Sequence, residues 1–200
     1  MNIKSLWGFL FYIKYYKDEK ISMKGEVYMI KLVKVSREYK EQYEDMMREW
    51  RETCEKIYPY SIRREFSCFE DAIKIFENDS KGINIGSSVP STTYLAYDDE
   101  KDIVVGAVNI KHYLNDELSK YGGHIADGVR PSQRRNGYAT EMIRQALEVC
   151  RNELKLEKVL MVCNKNNIGS AKSIMKNGGV FESDVYTDDN ELVSRYWIYL

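Results

Sequence analysis

The sequence is poor in proline and histidine, and it has no long apolar run. Its 200 residues include three prolines and two histidines, His112 and His124. The four cysteines form no CxxC pair, so neither they nor the histidines have zinc-ligand spacing, and we expect no metal. No apolar run approaches the roughly 20 residues of a membrane-spanning helix, so we expect no membrane partner.

Charge of one sign does not predominate either. The chain has 30 Lys and Arg against 31 Asp and Glu, a formal net charge of -1. This balance disfavours nucleic acid as a main partner. Hydrophobic residues make up 44% of the chain, as in an ordinary globular protein. The length predicts one domain, with or without an appendage.

Two of the cysteines fall at predicted core positions. Cys150 lies on the apolar face of a predicted helix and Cys163 at the end of a predicted strand. Cysteine commonly behaves as a small buried hydrophobe, so we expect buried, reduced thiols. Unpaired thiols are typical of a reducing compartment, which indicates the cytoplasm.

The N-terminal segment has three interpretations. Residues 6–13 (LWGFLFYI) loosely resemble a signal peptide, but charges follow in place of a small-residue cleavage site. Translation beginning at Met29 is the second, because a purine-rich ribosome-binding sequence can encode residues 24–28 (KGEVY). An aromatic extension that packs on the domain or on a partner is the third. We favour the second, which divides the chain into an extension, 1–28, and a domain, 29–200.

Apolar periodicity predicts the secondary structure. Alternating and continuous apolar runs predict strands at 30–35, 94–97, 103–108, 124–129, 159–163, 180–187 and 192–200. Helical spacing predicts four helices, whose core faces carry Tyr43, Met46, Met47, Trp50 and Cys54; Phe69, Ala72, Ile73 and Phe76; Ala139, Met142, Ile143, Ala146, Leu147, Cys150 and Leu154; and Ile168, Ala171, Ile174 and Met175. Segment 80–93 is predicted to be a long loop. The element order, β-α-α-β-β-β-α-β-α-β-β, predicts an α+β (mixed α/β) protein rather than a doubly wound one.

Segment 128–140, GVRPSQRRNGYAT, carries the strongest functional signal. A strand ends there, and a cationic loop leads into the longest predicted helix. Unpaired N–H groups and the helix dipole suit a phosphate, Gly137 and Ala139 leave room for it, and Arg134 and Arg135 add donors. A solvated basic turn is the alternative. The chain has neither GxxxxGK[ST] nor GxGxxG, so nucleoside triphosphates and dinucleotides fit less well.

The residues of this segment resemble motif A of the GNAT acetyltransferases. The matching pattern, V-x-P-x-x-R-x-x-G-x-A, comprises Val129, Pro131, Arg134, Gly137 and Ala139. The element order of residues 30–200 also resembles that family. In the family's second motif, N-x-x-A-x-x-x-Y-x-x-x-G-F, the Asn, Ala and Gly positions are occupied here by Asn167, Ser170 and Gly178. More narrowly, YGGHIADGVRPSQRRNGYATEM and NIGSAKSIMKNGG resemble a bacterial subgroup of predicted acetyltransferases.

The resemblance implies a fold, a cofactor and a reaction. The fold is the GNAT acyl-CoA N-acyltransferase fold, a central twisted and mostly antiparallel sheet with a splayed parallel strand pair, flanked by helices. The pair comprises the strand that ends at Val129 and the strand that starts at Val159. Acetyl-CoA is the implied co-substrate, and its acetyl group passes to a primary amine by direct attack in a ternary complex.

The resemblance also implies the residues that bind coenzyme A. Backbone groups near the strand end pair with the pantetheine, the helix N-terminus holds the pyrophosphate, and the last short helix lines the far side. The implied residues are Gly128, Val129, Arg130, Arg134, Arg135, Asn136, Gly137, Tyr138, Ala139, Thr140, Asn167 and Ser170.

The catalytic groups are less well defined. Asp127 and His124 are the two candidates for the general base, because both lie on the strand that leads to the acetyl group. The N–H of Val129 is the expected oxyanion donor. The family often uses a tyrosine acid at the position that is Ile174 here, which leaves Tyr138, in motif A, as a candidate.

The acceptor is not identified by any motif. A small-molecule or peptide amine is expected, bound near the first two helices, and Tyr58, Tyr60, Arg63 and Arg64 are possible contacts. A homodimer is one arrangement open to such a protein. Because Ile174 replaces the usual tyrosine, a catalytically silent CoA-binding sensor or scaffold module is the alternative function.

Overall fold

A computed structural model describes residues 30–200 of the chain. The extension 1–28 and the proposed start at Met29 lie outside the described residues. The described residues form seven strands: β1 (Ile30–Lys34), β2 (Ser91–Asp98), β3 (Ile103–Lys111), β4 (Ile125–Val129), β5 (Lys158–Asn164), β6 (Val180–Tyr186) and β7 (Leu192–Tyr199). All seven predicted strands are confirmed, with small changes at their ends.

Five α-helices join these strands. They are α1 (Lys40–Glu52), α2 (Tyr60–Arg63), α3 (Phe69–Lys81), α4 (Tyr138–Asn152) and α5 (Ile168–Lys176). The four long helices match the predicted ones, and α2 is a single turn that the sequence did not indicate. The short segment Leu118–Gly122 forms a π-helical turn.

The strands form two antiparallel sheets. One has the order β1-β2-β3-β4 and the other β5-β7-β6. Strands β4 and β5 meet where the sheets adjoin: the backbone N–H of His124 donates to the carbonyl of Leu160 at 2.8 Å. Beyond this point the two strands form no ladder. Helix α4 connects them, as a crossover between parallel neighbours requires, and the separated strands leave a cleft.

Two hydrophobic clusters cover opposite faces of the first sheet. Helix α4 packs on one face, where Met142, Ile143 and Ala146 are fully buried. Helices α1 and α3 pack on the other face. The predicted core face of α1 is confirmed for Tyr43, Met46, Met47 and Trp50, all at most 6% exposed. Burial of each such side chain contributes roughly 1.5–3 kcal/mol.

Some predicted core residues are exposed. Helix α1 ends at Glu52, so Cys54 lies beyond it, exposed and with φ of 54°. Ile168 and Met175 are 65% and 50% exposed. Helix α5 has only nine residues and packs on the molecule through a single narrow stripe that contains Ala171 and Ile174, which leaves its other faces uncovered.

The cysteine and loop predictions have mixed outcomes. Cys150 and Cys163 are buried and free, as predicted, and burial raises the pKa of the Cys150 thiol to about 12. The loop predicted at 80–93 is shorter, because α3 continues to Lys81 and β2 begins at Ser91.

Candidate functional site

A cavity of about 880 Å³ lies across the cleft between β4 and β5. Three parts of the chain form its walls: the end of β4 with the loop into α4 and the start of that helix, one face of α5 with the two residues before it, and segment 50–58, which comprises the last turn of α1 and the residues after it. Its lining residues are Trp50, Glu55, Lys56, Tyr58, Asp127, Gly128, Val129, Gln133, Arg134, Arg135, Gly137, Tyr138, Ala139, Thr140, Asn166, Asn167, Ile168, Gly169, Ser170, Lys172, Ser173 and Lys176.

Some backbone N–H and C=O groups of β4 face this cavity, because successive residues of the strand direct these groups alternately toward β3 and away from it. The carbonyl of His124 accepts from Lys111, and the N–H of Arg130 donates to Val105. Even-numbered residues of β4 therefore bond to β3. In an antiparallel ladder the residues between them direct their peptide groups to the opposite edge. The N–H groups of Asp127 and Val129 thus point into the cleft, whereas the peptide groups of Gly128 are used by the sheet.

Gly128 allows the segment that follows α1 to lie on β4. A Cβ atom at this position would be 2.2 Å from the carbonyl oxygen of Tyr58 and 2.8 Å from Cη2 of Trp50. Both distances are well below van der Waals contact, so only glycine fits. The close approach brings Tyr58 and Trp50 to one wall of the cavity.

The start of helix α4 forms the opposite wall. Gly137 precedes the helix with φ of 84° and has open space on its Cα, and Arg135 also has a positive φ, 68°. The first N–H groups of α4 have no partner within the helix and carry its positive dipole end. This end of a 15-residue helix is suited to a phosphate group.

The charges on the walls are mainly positive. Among the described residues, two carboxylates, Glu55 and Asp127, line the cavity. The lining cations are Lys56, Arg134, Arg135, Lys172 and Lys176. Lys172 and Lys176 were not identified from the sequence. The sequence did contain a signal for them: Gly169, Lys172, Ser173 and Lys176 have helical spacing and so lie on one face of α5.

Comparison with known proteins identifies the family. The model of the acetyltransferase (GNAT) domain matches residues 35–180. The chain belongs to the GNAT acetyltransferase family. A comparison with curated proteins gives no match.

Solved structures show that this GNAT acetyltransferase shares its fold with distant relatives. The ribosomal-protein-S5-alanine acetyltransferase from Vibrio fischeri is 12% identical, with a TM-score of 0.62 over 90% of this chain and 97% of that chain. A GNAT-family acetyltransferase from Bacillus anthracis is 18% identical, with a TM-score of 0.56 over 90% and 98%. Spermidine N-acetyltransferase from Vibrio cholerae, described as dodecameric, is 14% identical, with a TM-score of 0.56 over 85% and 93%. The predicted fold class is confirmed.

Most residues expected to bind the cofactor of this GNAT acetyltransferase lie together. Ten of the twelve line the cavity: Gly128, Val129, Arg134, Arg135, Gly137, Tyr138, Ala139, Thr140, Asn167 and Ser170. Asn167 caps helix α5, because its side chain accepts from the N–H of Ser170 at 3.1 Å. Asn136 does not line the cavity, and its amide donates to the carbonyl of Gln133.

Arg130 lies elsewhere than the sequence implied. Its guanidinium is directed away from the cavity and forms ion pairs with Asp45 and Glu49 of helix α1. The side chain is only 8% exposed. The expectation of a direct cofactor contact is corrected here. Glu49 and Asp45 lie 81 and 85 residues earlier in the chain, so the sequence did not indicate them as partners.

Tyr138 does not present its hydroxyl to the cavity. The hydroxyl donates to Oδ2 of Asp98 at 2.6 Å and accepts from Nζ of Lys101 at 2.7 Å. The residue is 1% exposed, and neither partner lines the cavity. This buried arrangement does not fit the suggested role as catalytic acid.

His124 is not placed to act as a base. Its Nδ1 accepts from the N–H of Leu160 at 2.9 Å, at the point where β4 and β5 separate. Burial lowers the pKa of the imidazole to about 4, so the ring is neutral and its accepting nitrogen is occupied. His124 does not line the cavity.

Asp127 is the candidate base that the structure does place in the cavity. The ladder between β3 and β4 is regular over this strand, so the side chain shares the face of Ile125 and Val129. Burial raises the pKa of the carboxyl to about 6. A carboxylate with this pKa is ionised at neutral pH yet basic enough to accept a proton.

The residues that the sequence suggested as contacts for the acceptor lie mostly outside the cavity. Of the four residues suggested from the sequence, only Tyr58 lines the cavity. Arg64 instead pairs with Asp79, and Arg63 lies over the exposed ring of Tyr60. The position of the usual tyrosine is filled by Ile174, which is fully buried in the core.

Two further searches cover the described residues 30–200. No helix there is long and apolar enough to cross a membrane. No three His, Cys, Asp or Glu side chains in that range are grouped so that they can hold a metal ion.

Proposed function

We propose that this protein transfers the acetyl group of acetyl-CoA to a primary amine. The observation that carries the proposal is the cavity itself. It joins a cationic helix N-terminus, the cleft-facing peptide groups of Asp127 and Val129, and a carboxylate with a raised pKa. Coenzyme A is a polyanion, and these walls offer a long binding path from phosphates to thioester.

The cofactor contacts follow from the positions on the walls. The first N–H groups of α4 bind the pyrophosphate, and Arg135 and Lys172 neutralise phosphate charge. The pantetheine pairs with the cleft-facing edge of β4 and places the thioester beside Val129. The N–H of Val129 then stabilises the developing oxyanion.

The reaction is a direct transfer. The neutral amine attacks the thioester carbonyl carbon, a C–N bond forms, and the C–S bond breaks. Asp127 accepts the proton that the nitrogen loses. The CoA thiolate leaves and takes a proton from solvent, since no tyrosine hydroxyl stands at the position of Ile174.

The acceptor enters from the side of segment 50–58. Trp50, Tyr58 and Glu55 line this side, and a small-molecule or peptide amine fits such a wall. The catalytic unit comprises residues 29–200, acts in the cytoplasm and carries reduced thiols at Cys150 and Cys163. A homodimer is the simplest assembly.

One observation favours a second function. Ile174 is buried where relatives often carry a tyrosine acid, and this substitution suits a CoA-binding sensor or scaffold without turnover. Thiol release from acetyl-CoA, measured with amino acids, alkylamines, polyamines and peptides, separates the two. Amine-dependent release supports the transferase. Tight CoA binding in calorimetry, with no release on any amine, supports the sensor.

A further inference from the structure

A buried arginine, Arg130, connects helix α1 to the loop between β4 and α4, residues 130–137, which is called the cofactor loop below. Nε of Arg130 donates to Oε2 of Glu49 at 2.6 Å, and Nη2 donates to Oδ2 of Asp45 at 2.9 Å. Nη1 reaches the carbonyl of Val104 at 3.4 Å. The guanidinium therefore uses all three nitrogens, and it is itself 8% exposed, whereas the side chains of Asp45 and Glu49 are 44% and 23% exposed.

Glu49 extends this contact to the loop backbone. It accepts from the N–H of Ser132 at 2.7 Å and from its hydroxyl at 2.9 Å. One carboxylate thus holds the residues on both sides of Pro131. Burial opposes ionisation of Glu49, but the bonds from Ser132 and Arg130 outweigh it and lower the pKa of the carboxyl. The pKa of Asp45 is also lowered, chiefly by its bond to Arg130.

Each end of this contact adjoins a wall of the cavity. Arg130 directly follows Val129, whose N–H faces the cleft. Glu49 directly precedes Trp50, which belongs to the wall formed by segment 50–58 and packs on Gly128. The spacing between the end of β4, here called the cofactor wall, and segment 50–58, here called the acceptor wall, therefore depends on side chains that line neither wall, in addition to the packing of Trp50 and Tyr58 on Gly128.

We propose that Arg130, Glu49 and Asp45 form a positioning clamp that holds the cofactor loop and the acceptor wall at the spacing needed for acetyl transfer. The proposal rests on the proposed function for its kinetic meaning. The clamp contacts no reacting atom. Its effect comes from geometry, because a displacement of about 1 Å at a reacting centre can cost on the order of a hundredfold in rate.

The first test is Arg130→Lys, which keeps the charge and removes the planar fork. We expect the KM for acetyl-CoA to rise about tenfold and kcat to fall about tenfold, since a lysine cannot hold two carboxylates and a carbonyl together. The Kd for CoA in calorimetry should rise in parallel. A clamp that served stability alone would lower the melting temperature and leave the constants of the folded enzyme unchanged.

The matched control is Arg64→Lys. Arg64 also forms a partly buried, two-nitrogen contact with a carboxylate, Asp79, but neither residue lines the cavity. We expect a similar loss of melting temperature with unchanged KM, kcat and CoA affinity. Equal kinetic behaviour of the two variants would overturn the proposal.

Two milder variants test the proposal if Arg130→Lys does not fold. Ser132→Ala removes one exposed donor to Glu49, and Glu49→Gln keeps an acceptor for Ser132 while losing the ion pair. Both should raise the Kd for CoA, Glu49→Gln more strongly. Unchanged affinity in both would also overturn the clamp. If the unaltered chain acetylates no amine, the proposed function fails, but the calorimetric comparison still decides on the clamp.

Discussion

The hydroxyl of Tyr138, a residue of the cavity wall, donates to the carboxylate of Asp98 at 2.6 Å, and Asp98 is buried and does not line the cavity. Asp98 also accepts from the N–H groups of Glu100 and Lys101. The first residue of helix α4 is therefore anchored to the turn between β2 and β3. This anchor holds the helix N-terminus against the sheet.

Tyr138→Phe should weaken the fold rather than the chemistry. The variant loses both bonds of the hydroxyl, the buried one to Asp98 and the partly buried one from Lys101. This loss costs about 1–3 kcal/mol of unfolding free energy. We expect kcat to stay within about threefold, because the hydroxyl is remote from the thioester. Urea unfolding and steady-state kinetics measure the two quantities.

A surface pair provides the control for this variant. Tyr121 donates to Asp188 at 2.6 Å in an exposed position, so Tyr121→Phe should leave stability unchanged within error. A loss of kcat of a hundredfold or more in Tyr138→Phe, with stability intact, would restore this tyrosine as the acid.

How far the sequence predicted this site depends on how local each feature is. The loop that we propose to bind phosphate was recognised because Gly137, Arg134 and Arg135 are close in sequence to the helix that they precede. The clamp was not found, because Arg130 and its partner Glu49 are 81 residues apart. No periodicity links positions that only the packing of α1 on the sheet brings together.

The two candidate bases show the same limit. His124 and Asp127 lie three residues apart on one segment, and their residue types alone do not separate them. The separation comes from β5, because Leu160 supplies the N–H that occupies the imidazole. Asp127 is left facing the cavity, and only the tertiary structure shows this.

Asp127→Asn should impair catalysis far more than cofactor binding. General-base catalysis contributes typically 10²–10⁴-fold, so we expect kcat to fall at least about a hundredfold while the Kd for CoA changes less than about twofold. In the unaltered enzyme, kcat should rise with pH through about 6, the pKa of this carboxyl, since the base must be ionised. The exposed Asp116→Asn should change neither quantity.

The same variant should alter the pH dependence of stability. The pKa of Asp127 is raised from 3.8 to about 6 in the folded protein, so the folded state binds more protons between these values. The contribution of this group to stability therefore falls as the pH rises through that range. Asp127→Asn should be more stable than the unaltered protein near pH 7.5, and this gain should vanish near pH 4. Parallel stability curves for the two proteins would contradict the assignment.

Glu55→Gln should tighten the binding of CoA. Glu55 pairs with Arg134 at 2.5 Å on the cavity wall, and Arg134 also donates to the carbonyl of Val129. A phosphate must compete with this carboxylate for the guanidinium. Removal of the charge frees Arg134, and we expect the Kd for CoA to fall about threefold at low salt, with less effect as the salt concentration rises.

The control for this variant is another exposed pair. Glu148 contacts Arg151 within helix α4, away from the cavity. Glu148→Gln should leave the Kd for CoA unchanged at every salt concentration. Weaker binding in Glu55→Gln would show that the pair organises Arg134 for the cofactor instead of competing with it.

Gly128→Ala should separate the two walls of the cavity. The added methyl group would lie 2.2 Å from the carbonyl oxygen of Tyr58, and this contact is with backbone, so segment 50–58 must move outward. Overpacking of this kind costs about 1–3 kcal/mol. We expect a raised KM for the acceptor amine and a smaller change for acetyl-CoA, because the cleft-facing peptide groups belong to Asp127 and Val129.

The control is Gly169→Ala, whose methyl group would meet only Oδ1 of Asn167 at 3.5 Å. This variant should leave the unfolding free energy unchanged or raise it. A KM for the amine that stays constant in Gly128→Ala would place the acceptor away from segment 50–58.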